Sequence, residues 1–245
     1  MNNGLGSVAD VTTSAHRLVL WDIDQTLIDL RGAGRGWYRQ VLAEVTGVAM
    51  TGMPDFFGRT ERAITAEVLT LHGIEPTEEL IQRMWTALTA VSTTALPELA
   101  KRGLALPGAA SALAGVAAAG GAVQSLVTGN LREIAWHKLS AFGLHAHLDF
   151  EIGGYGNLSA HRPDLVAHAV DRAHAAHGTL FEPASVIIVG DTPHDIDAAR
   201  AHGAVAVGVA TGRFDEDALR DAGAQVVLRD LSDTDLVLAA VFGAA

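Results

Sequence analysis

"LVLWDIDQTLIDL", residues 18–30, begins as a strand and ends as a cluster of acids. Leu18, Val19, Leu20 and Trp21 form an apolar run of the length of a buried strand. Asp22, Asp24 and Asp29 follow at once. Like charges crowded at a strand end repel one another unless a cation stands between them. The stretch therefore raises two questions: what the sheet around it looks like, and what neutralises its acids.

Working outward, similar apolar runs recur at 122–127, 148–152, 185–189, 204–209 and 225–228, with helical patterns between most of them. That alternation predicts a parallel sheet with crossover helices. One interval departs from it. From Arg31 to about Leu106 the sequence predicts no strand, only helices at 34–45, 60–71 and 77–101, the last broken near 92–97. The expected organisation is an α/β core from residues 16–31 and 106–245, with an α-helical domain, 32–105, inserted after the first strand. The chain would enter the insertion through a Gly-rich stretch, 29–36, and leave it through "KRGLALPG", residues 101–108. Residues 1–15 read as a loose tail.

Composition narrows the function. With 245 residues and 49% apolar content the chain can bury a large core. A net charge of −11 argues against nucleic acid as a partner. The absence of cysteine excludes disulfides, thiolate metal sites and a cysteine nucleophile. The N-terminus has no basic-then-apolar signal pattern, and no apolar run reaches the ~18 residues of a membrane span. The expectation is a soluble, cytoplasmic protein with no membrane partner.

Acids and hydroxyls gather at the strand ends. The first strand runs into Asp22, Asp24 and Thr26; "SLVTGN" ends in Thr128, Gly129 and Asn130; "SVIIVGDTPHDID" ends in Asp191, with Asp195 four residues on. Ligands of open parallel sheets bind outside the carboxyl ends of the strands. Carboxylate oxygens without thiols suit a hard cation, Mg²⁺ above all, which Asp22 and Asp191 would hold. The "TGN" turn, opening a helix, suits a phosphate. Each feature alone is ordinary turn chemistry. Together they point to phosphoryl transfer with an aspartate nucleophile.

These residues carry a resemblance. "DIDQTL", "LVTGN" and "GDTPHDI" resemble the first, second and fourth motifs of the haloacid dehalogenase superfamily, in its phosphatase branch with a helical cap after the first motif (phosphoglycolate phosphatase-like). The resemblance implies a Rossmann-like core, Mg²⁺ dependence and an aspartyl-phosphate intermediate. It makes Asp22 the nucleophile and a metal ligand. Asp24 becomes a ligand through its backbone carbonyl, and the general acid and then base. Thr26 supports the loop, Thr128 and the amides of Gly129 and Asn130 hold the phosphoryl group, Asp191 is a metal ligand, and Asp195 supports the metal-bound waters. A nucleophile must be ionised and an acid must keep its proton, so the Asp24 carboxyl is expected to point away from the metal.

The third motif departs from the family. Its usual lysine is replaced in "SAHRPDLV" by Arg162, whose planar fork has a different geometry. Of the chain's two lysines, Lys138 projects from the apolar face of the helix after "TGN" and leans toward the phosphate end. Either Lys138 or Arg162 is expected to reach the phosphoryl group. In the insertion, Arg59 of "DFFGRTERA" is a candidate for substrate specificity or a solvated helix-start arginine, while Trp37, Tyr38 and Trp85 are expected to pack the insertion rather than line a pocket. The leading reading is a phosphatase of a small phosphorylated metabolite. The alternatives are a sugar-phosphate mutase of the same superfamily and a non-catalytic phosphate-binding or regulatory module.

Overall fold

In the computed structural model, which describes residues 17–243, the first strand, β1, spans Arg17–Trp21. The tail expected at 1–15 lies outside the described residues. Val19 and Trp21 pack into one core cluster, and Leu18 and Leu20 into another on the opposite face of the sheet. A strand buried on both faces must be apolar throughout, which explains its unbroken run. A turn leads to the short β2 (Ile28–Asp29), and then come α1 (Ala33–Thr46), α2 (Glu61–Leu71) and α3 (Glu78–Arg102). The chain returns through β3 (Leu104–Ala105) and alternates to its end. In order it forms α4 (Ala109–Ala119), β4 (Ala122–Thr128), α5 (Arg132–Ala141), β5 (Gly154–Tyr155), α6 (Arg162–His177) and β6 (Val186–Gly190). It closes with α7 (Pro193–Ala201), β7 (Val205–Val209), α8 (Glu216–Asp221), β8 (Val226–Leu228) and α9 (Thr234–Phe242).

Six strands form one parallel sheet in the order β5-β4-β1-β6-β7-β8. The chain builds outward from β1 to β4 and β5, then crosses to β6 on the other edge of β1. The carboxyl ends of β1, β4 and β6 flank this reversal, where ligands of such sheets bind. Trp21 lies opposite Leu126 on one side and Val189 on the other. That register brings Asp22, Thr128 and Asp191 to the same rim.

The helical insertion has its own core, with Leu42, Val68, Met84 and Leu88 at its centre, closed by Leu131 and Ile134 from the region of α5. Its two connections run side by side, because β2 and β3 pair antiparallel and the Leu106 N–H donates to the Leu27 carbonyl at 2.9 Å. A Cβ at Gly103 would lie 2.6 Å from the Asp29 carbonyl oxygen, so the ribbon closes only with glycine there. Thr60 and Thr77 cap α2 and α3 through their side chains.

Three details differ from the sequence expectation. Residues 148–152 form a turn, not a strand. The Asp149 carboxylate accepts the Glu151 N–H at 2.8 Å and bends the chain, so the alternating Leu148, Phe150 and Ile152 are anchors of a bend. α3 runs unbroken through Pro97, because Leu96 before it and Leu99 beyond it pack against the main core and outweigh the lost backbone bond. The stretch before Leu106 does contain a strand, the two-residue β3.

Candidate active site

The turn after β1 sorts the acids. The Ile23 carbonyl accepts the N–H groups of Thr26, Leu27 and Ile28 at 3.3, 2.9 and 3.1 Å. Ile23 and Leu27 are fully buried and pin the loop, and Gln25 takes a left-handed conformation, φ 66°. Asp22 and Asp24 therefore leave the strand end toward different partners.

Asp22 is buried and meets Arg162, the first residue of α6. One guanidinium nitrogen of Arg162, Nη2, lies 2.8 Å from Asp22 Oδ1, 2.5 Å from Asp195 Oδ1 and 3.3 Å from the Val127 carbonyl. Nη1 donates to the Gly58 carbonyl at 3.2 Å. Asp191 completes the cluster; carboxylate oxygens of Asp22, Asp191 and Asp195 all lie within 4.8 Å of one another. Burial drives the Asp22 carboxyl up to about 7, with Arg162 opposing and Asp195 and Asp24 adding to the rise. Burial likewise raises Asp191, reinforced by Asp22 and Asp195. Burial alone would lower the Arg162 guanidinium, but Asp195 and Asp22 hold it above its ordinary value.

This cluster fits a divalent cation. Three carboxylates against one guanidinium leave two uncompensated negative charges. Asp191 Oδ1 receives only a long bond from Thr26 Oγ1, 3.4 Å, and its buried Oδ2 has no donor among the described residues. A Cβ at Gly212 would fall 1.8 Å from that same Oδ2, so only glycine leaves the oxygen clear. Asp195 is different. Its Oδ1 is taken by Arg162, and its Oδ2 by the N–H and hydroxyl of Thr192 at 3.1 and 2.7 Å, as part of the capping box of α7. Asp22 and Asp191 keep lone pairs for a cation, while Asp195 is committed to holding Arg162 and the helix start.

Asp24 faces the other way and takes no part in the cluster. Lys138 Nζ lies 2.7 and 2.5 Å from its two oxygens and 2.7 Å from Asn130 Oδ1. The Asn130 amide donates to Asp24 Oδ2 and to Thr128 Oγ1, both at 2.8 Å. Lys138 is buried on the inner face of α5, yet it reaches the rim with its ammonium fully paired. Both candidate cations thus stand in the site, on different acids: Arg162 on Asp22, Lys138 on Asp24.

The insertion roofs the site. The Glu61 N–H donates to the Gly129 carbonyl at 2.8 Å and the Arg62 N–H to the Gly156 carbonyl at 2.9 Å. A Cβ at Gly129 would meet the Arg59 carbonyl at 2.0 Å, so the roof loop sits directly on the "TGN" turn. Beneath it lies a cavity of about 260 Å³ that Asp22, Asp24, Thr128, Lys138, Arg162 and Asp191 all line. Arg59 reaches its edge, with its guanidinium paired to Glu67 at 2.6 Å. Trp85 packs inside the insertion, as expected, but Trp37 and Tyr38 also line the cavity, because α1 lies across its mouth. One residue escaped sequence reasoning altogether. Glu61, the first residue of α2, is buried in the roof and accepts the Tyr38 hydroxyl. An acid just after a Thr N-cap reads as helix-start chemistry, and nothing local marks it as facing a cavity.

The sequence profile of haloacid dehalogenase-like hydrolases matches residues 19–200. The "Probable phosphatase IndB" of Dickeya dadantii (strain 3937) is 27% identical over 232 residues, covering 88% of this chain and 90% of its own. Among solved structures, a predicted phosphoglycolate phosphatase from Haemophilus somnus 129pt superposes with TM-score 0.60 at 17% identity, over 92% of this chain and 99% of that one. CbbY from Rhodobacter sphaeroides, in complex with phosphate, superposes with TM-score 0.64 at 16% identity, over 89% and 95%. With a six-stranded parallel core, the helical insertion after its first strand and the matching profile, the chain belongs to the haloacid dehalogenase-like hydrolase family.

Proposed function

We propose that this chain is a Mg²⁺-dependent phosphatase of a small phosphorylated metabolite, working through a phosphorylated Asp22. The observation that carries the reading is the split of the two motif acids: Asp22 lies buried on Arg162 beside the unpartnered Asp191 oxygen, and Asp24 is turned away onto Lys138. Asp22, Asp191 and the Asp24 backbone carbonyl would hold the metal, which when bound neutralises charge on the phosphoryl oxygens and keeps Asp22 ionised.

The rest is the work of the chain. An Asp22 carboxylate oxygen attacks phosphorus as the bond to the alcohol oxygen breaks. Arg162, the Thr128 hydroxyl and the amides of Gly129 and Asn130 bind the phosphoryl oxygens. Asp24 gives its proton to the departing alkoxide, then takes one from the water that attacks phosphorus and frees Asp22 and inorganic phosphate. Thr26 and Asp195 hold the geometry by bonding Asp191 and Arg162. Residues 32–105 act as a cap that shuts water out while the phosphoryl group moves. Asp22→Asn tests the reading with p-nitrophenyl phosphate and Mg²⁺. It removes the nucleophile at constant volume, so turnover should fall ~10³-fold or more in a folded protein. Activity within about tenfold of wild type would rule out the mechanism.

A further inference from the structure

The roof over the site carries one group that the reaction does not use. Glu61 is only 8% exposed; its Oε1 accepts the Tyr38 hydroxyl, and no donor among the described residues reaches its Oε2. It lines the same cavity as Asp24 and Lys138. We propose that Glu61 reads the leaving group, accepting a hydrogen bond from an alcohol hydroxyl, and that the substrate carries no anionic group besides its phosphate. This rests on the phosphatase reading and narrows its substrate class.

Three of the four cations lining the cavity are already paired with acids, which supports the second half of the proposal. Arg162 is held by Asp22 and Asp195, Lys138 by Asp24, and Arg59 by Glu67. The fourth lining cation, Arg35, is exposed on α1 and rests 5.9 Å from the centre of the Phe56 ring. Most of the remaining roof is apolar, from Trp37, Phe56, Phe57, Ile64 and Leu88. Such a roof suits a carbon skeleton with a hydroxyl on it. A second anion would enter a small, poorly solvated space beside a carboxylate, with the inner cations already paired. Burial already pushes Glu61 up to about 7, against its Tyr38 bond and the pull of Lys138, and another negative charge would compete directly with its ionised form.

The test compares kcat/KM with Mg²⁺ for two matched pairs of esters. 2-Hydroxyethyl phosphate is set against phosphoglycolate, and glucose 6-phosphate against glucose 1,6-bisphosphate, with p-nitrophenyl phosphate as the control. Wild type should favour the hydroxyl-bearing monoester of each pair by about tenfold or more, since a buried carboxylate penalises an unmatched anion strongly. Glu61→Gln keeps the volume and removes the charge, and should shrink that preference by about fivefold or more. A wild type that cleaves p-nitrophenyl phosphate but prefers, or does not distinguish, the doubly anionic esters overturns the inference and leaves the phosphatase reading standing. So does an unchanged preference in folded Glu61→Gln. If that variant fails to fold, the wild-type preference alone decides. A wild type inert even toward p-nitrophenyl phosphate overturns the phosphatase reading, and this inference with it.

Discussion

Removing Arg162 should expose what its guanidinium holds together. It bonds Asp22 and Asp195 through Nη2 and the roof carbonyl of Gly58 through Nη1, at a position only 6% exposed. In Arg162→Met three carboxylates crowd one buried space with no cation. Breaking a buried ion pair by deleting one partner costs about 3–5 kcal/mol, a large share of the ~5–15 kcal/mol that holds a domain folded. In urea melts at pH 7 with EDTA, the variant should lose about that much. Mg²⁺ bound as proposed would replace the lost charge, and at a hundredfold excess over its dissociation constant it would return about 2.7 kcal/mol to any state that binds it. The variant should therefore gain more from Mg²⁺ than wild type does. Arg162→Lys keeps the charge but not the fork that serves two acids and two carbonyls at once, so it should fall between the two. Turnover of p-nitrophenyl phosphate should drop by about 10²–10³-fold in Arg162→Met, as for loss of a transition-state donor. An EDTA stability loss below about 1 kcal/mol would refute the reasoning, because the acids would then need no internal cation.

Lys138→Met should behave differently. Asp24 has a side chain 43% exposed, so water can solvate what the lysine leaves, and the melt should move by about 1 kcal/mol or less while turnover falls about 10²-fold as Asp24 loses its anchor. Asp24→Asn should cost ~10²–10⁴-fold on an alkyl phosphate and clearly less on p-nitrophenyl phosphate, whose leaving group needs little protonation; equal losses would make Asp24 structural. Glu61 gives a pH signature. Its folded value, about 7, lies above the ordinary 4.5, so the folded state holds the extra proton between those values, and stability falls as pH rises through that window. Glu61→Gln should match wild type near pH 4 and exceed it above pH 7 by up to about 3 kcal/mol in urea melts, and parallel curves would refute the assignment.

What was legible follows from how local each cause is. The first strand and its acids could be read because burial on both faces leaves a plain apolar run ending abruptly in charge. Lys138 could be flagged because a charge on an apolar helix face demands a partner, but the partner, Asp24, lies 114 residues away in the chain. The choice between Lys138 and Arg162 was open for the same reason, since which cation meets which acid depends on how α5 and α6 land on the sheet. Residues 148–152 misled because anchors of a bend can alternate as a strand does, and the deciding Asp149 bond leaves no periodicity. Pro97 misled because the helix beyond it is held by tertiary packing. Glu61 was invisible because Tyr38 on one helix and the rim of the sheet on another side create its burial.

The two cations also answer the opening question more fully than a metal alone. Asp22 and Asp24 are two residues apart, and on a straight strand they would share a face and repel each other. The turn on the Ile23 carbonyl separates them, and each acquires the counter-charge its surroundings require. The buried acid, with its side chain 8% exposed, meets an arginine whose planar guanidinium reaches Asp22 and Asp195 through Nη2 and the Gly58 carbonyl through Nη1, and stays charged in a dry site. The half-exposed acid meets a lysine, a point charge on a flexible stem that can let go of one oxygen without losing the other. A nucleophile needs a fixed line of attack, whereas an acid that becomes a base must exchange protons with two successive partners. Rigid pairing at Asp22 and adjustable pairing at Asp24 are the arrangements that the tasks proposed for them call for. The replacement of the usual third-motif lysine by Arg162 therefore fits a chain whose second lysine already serves the other acid.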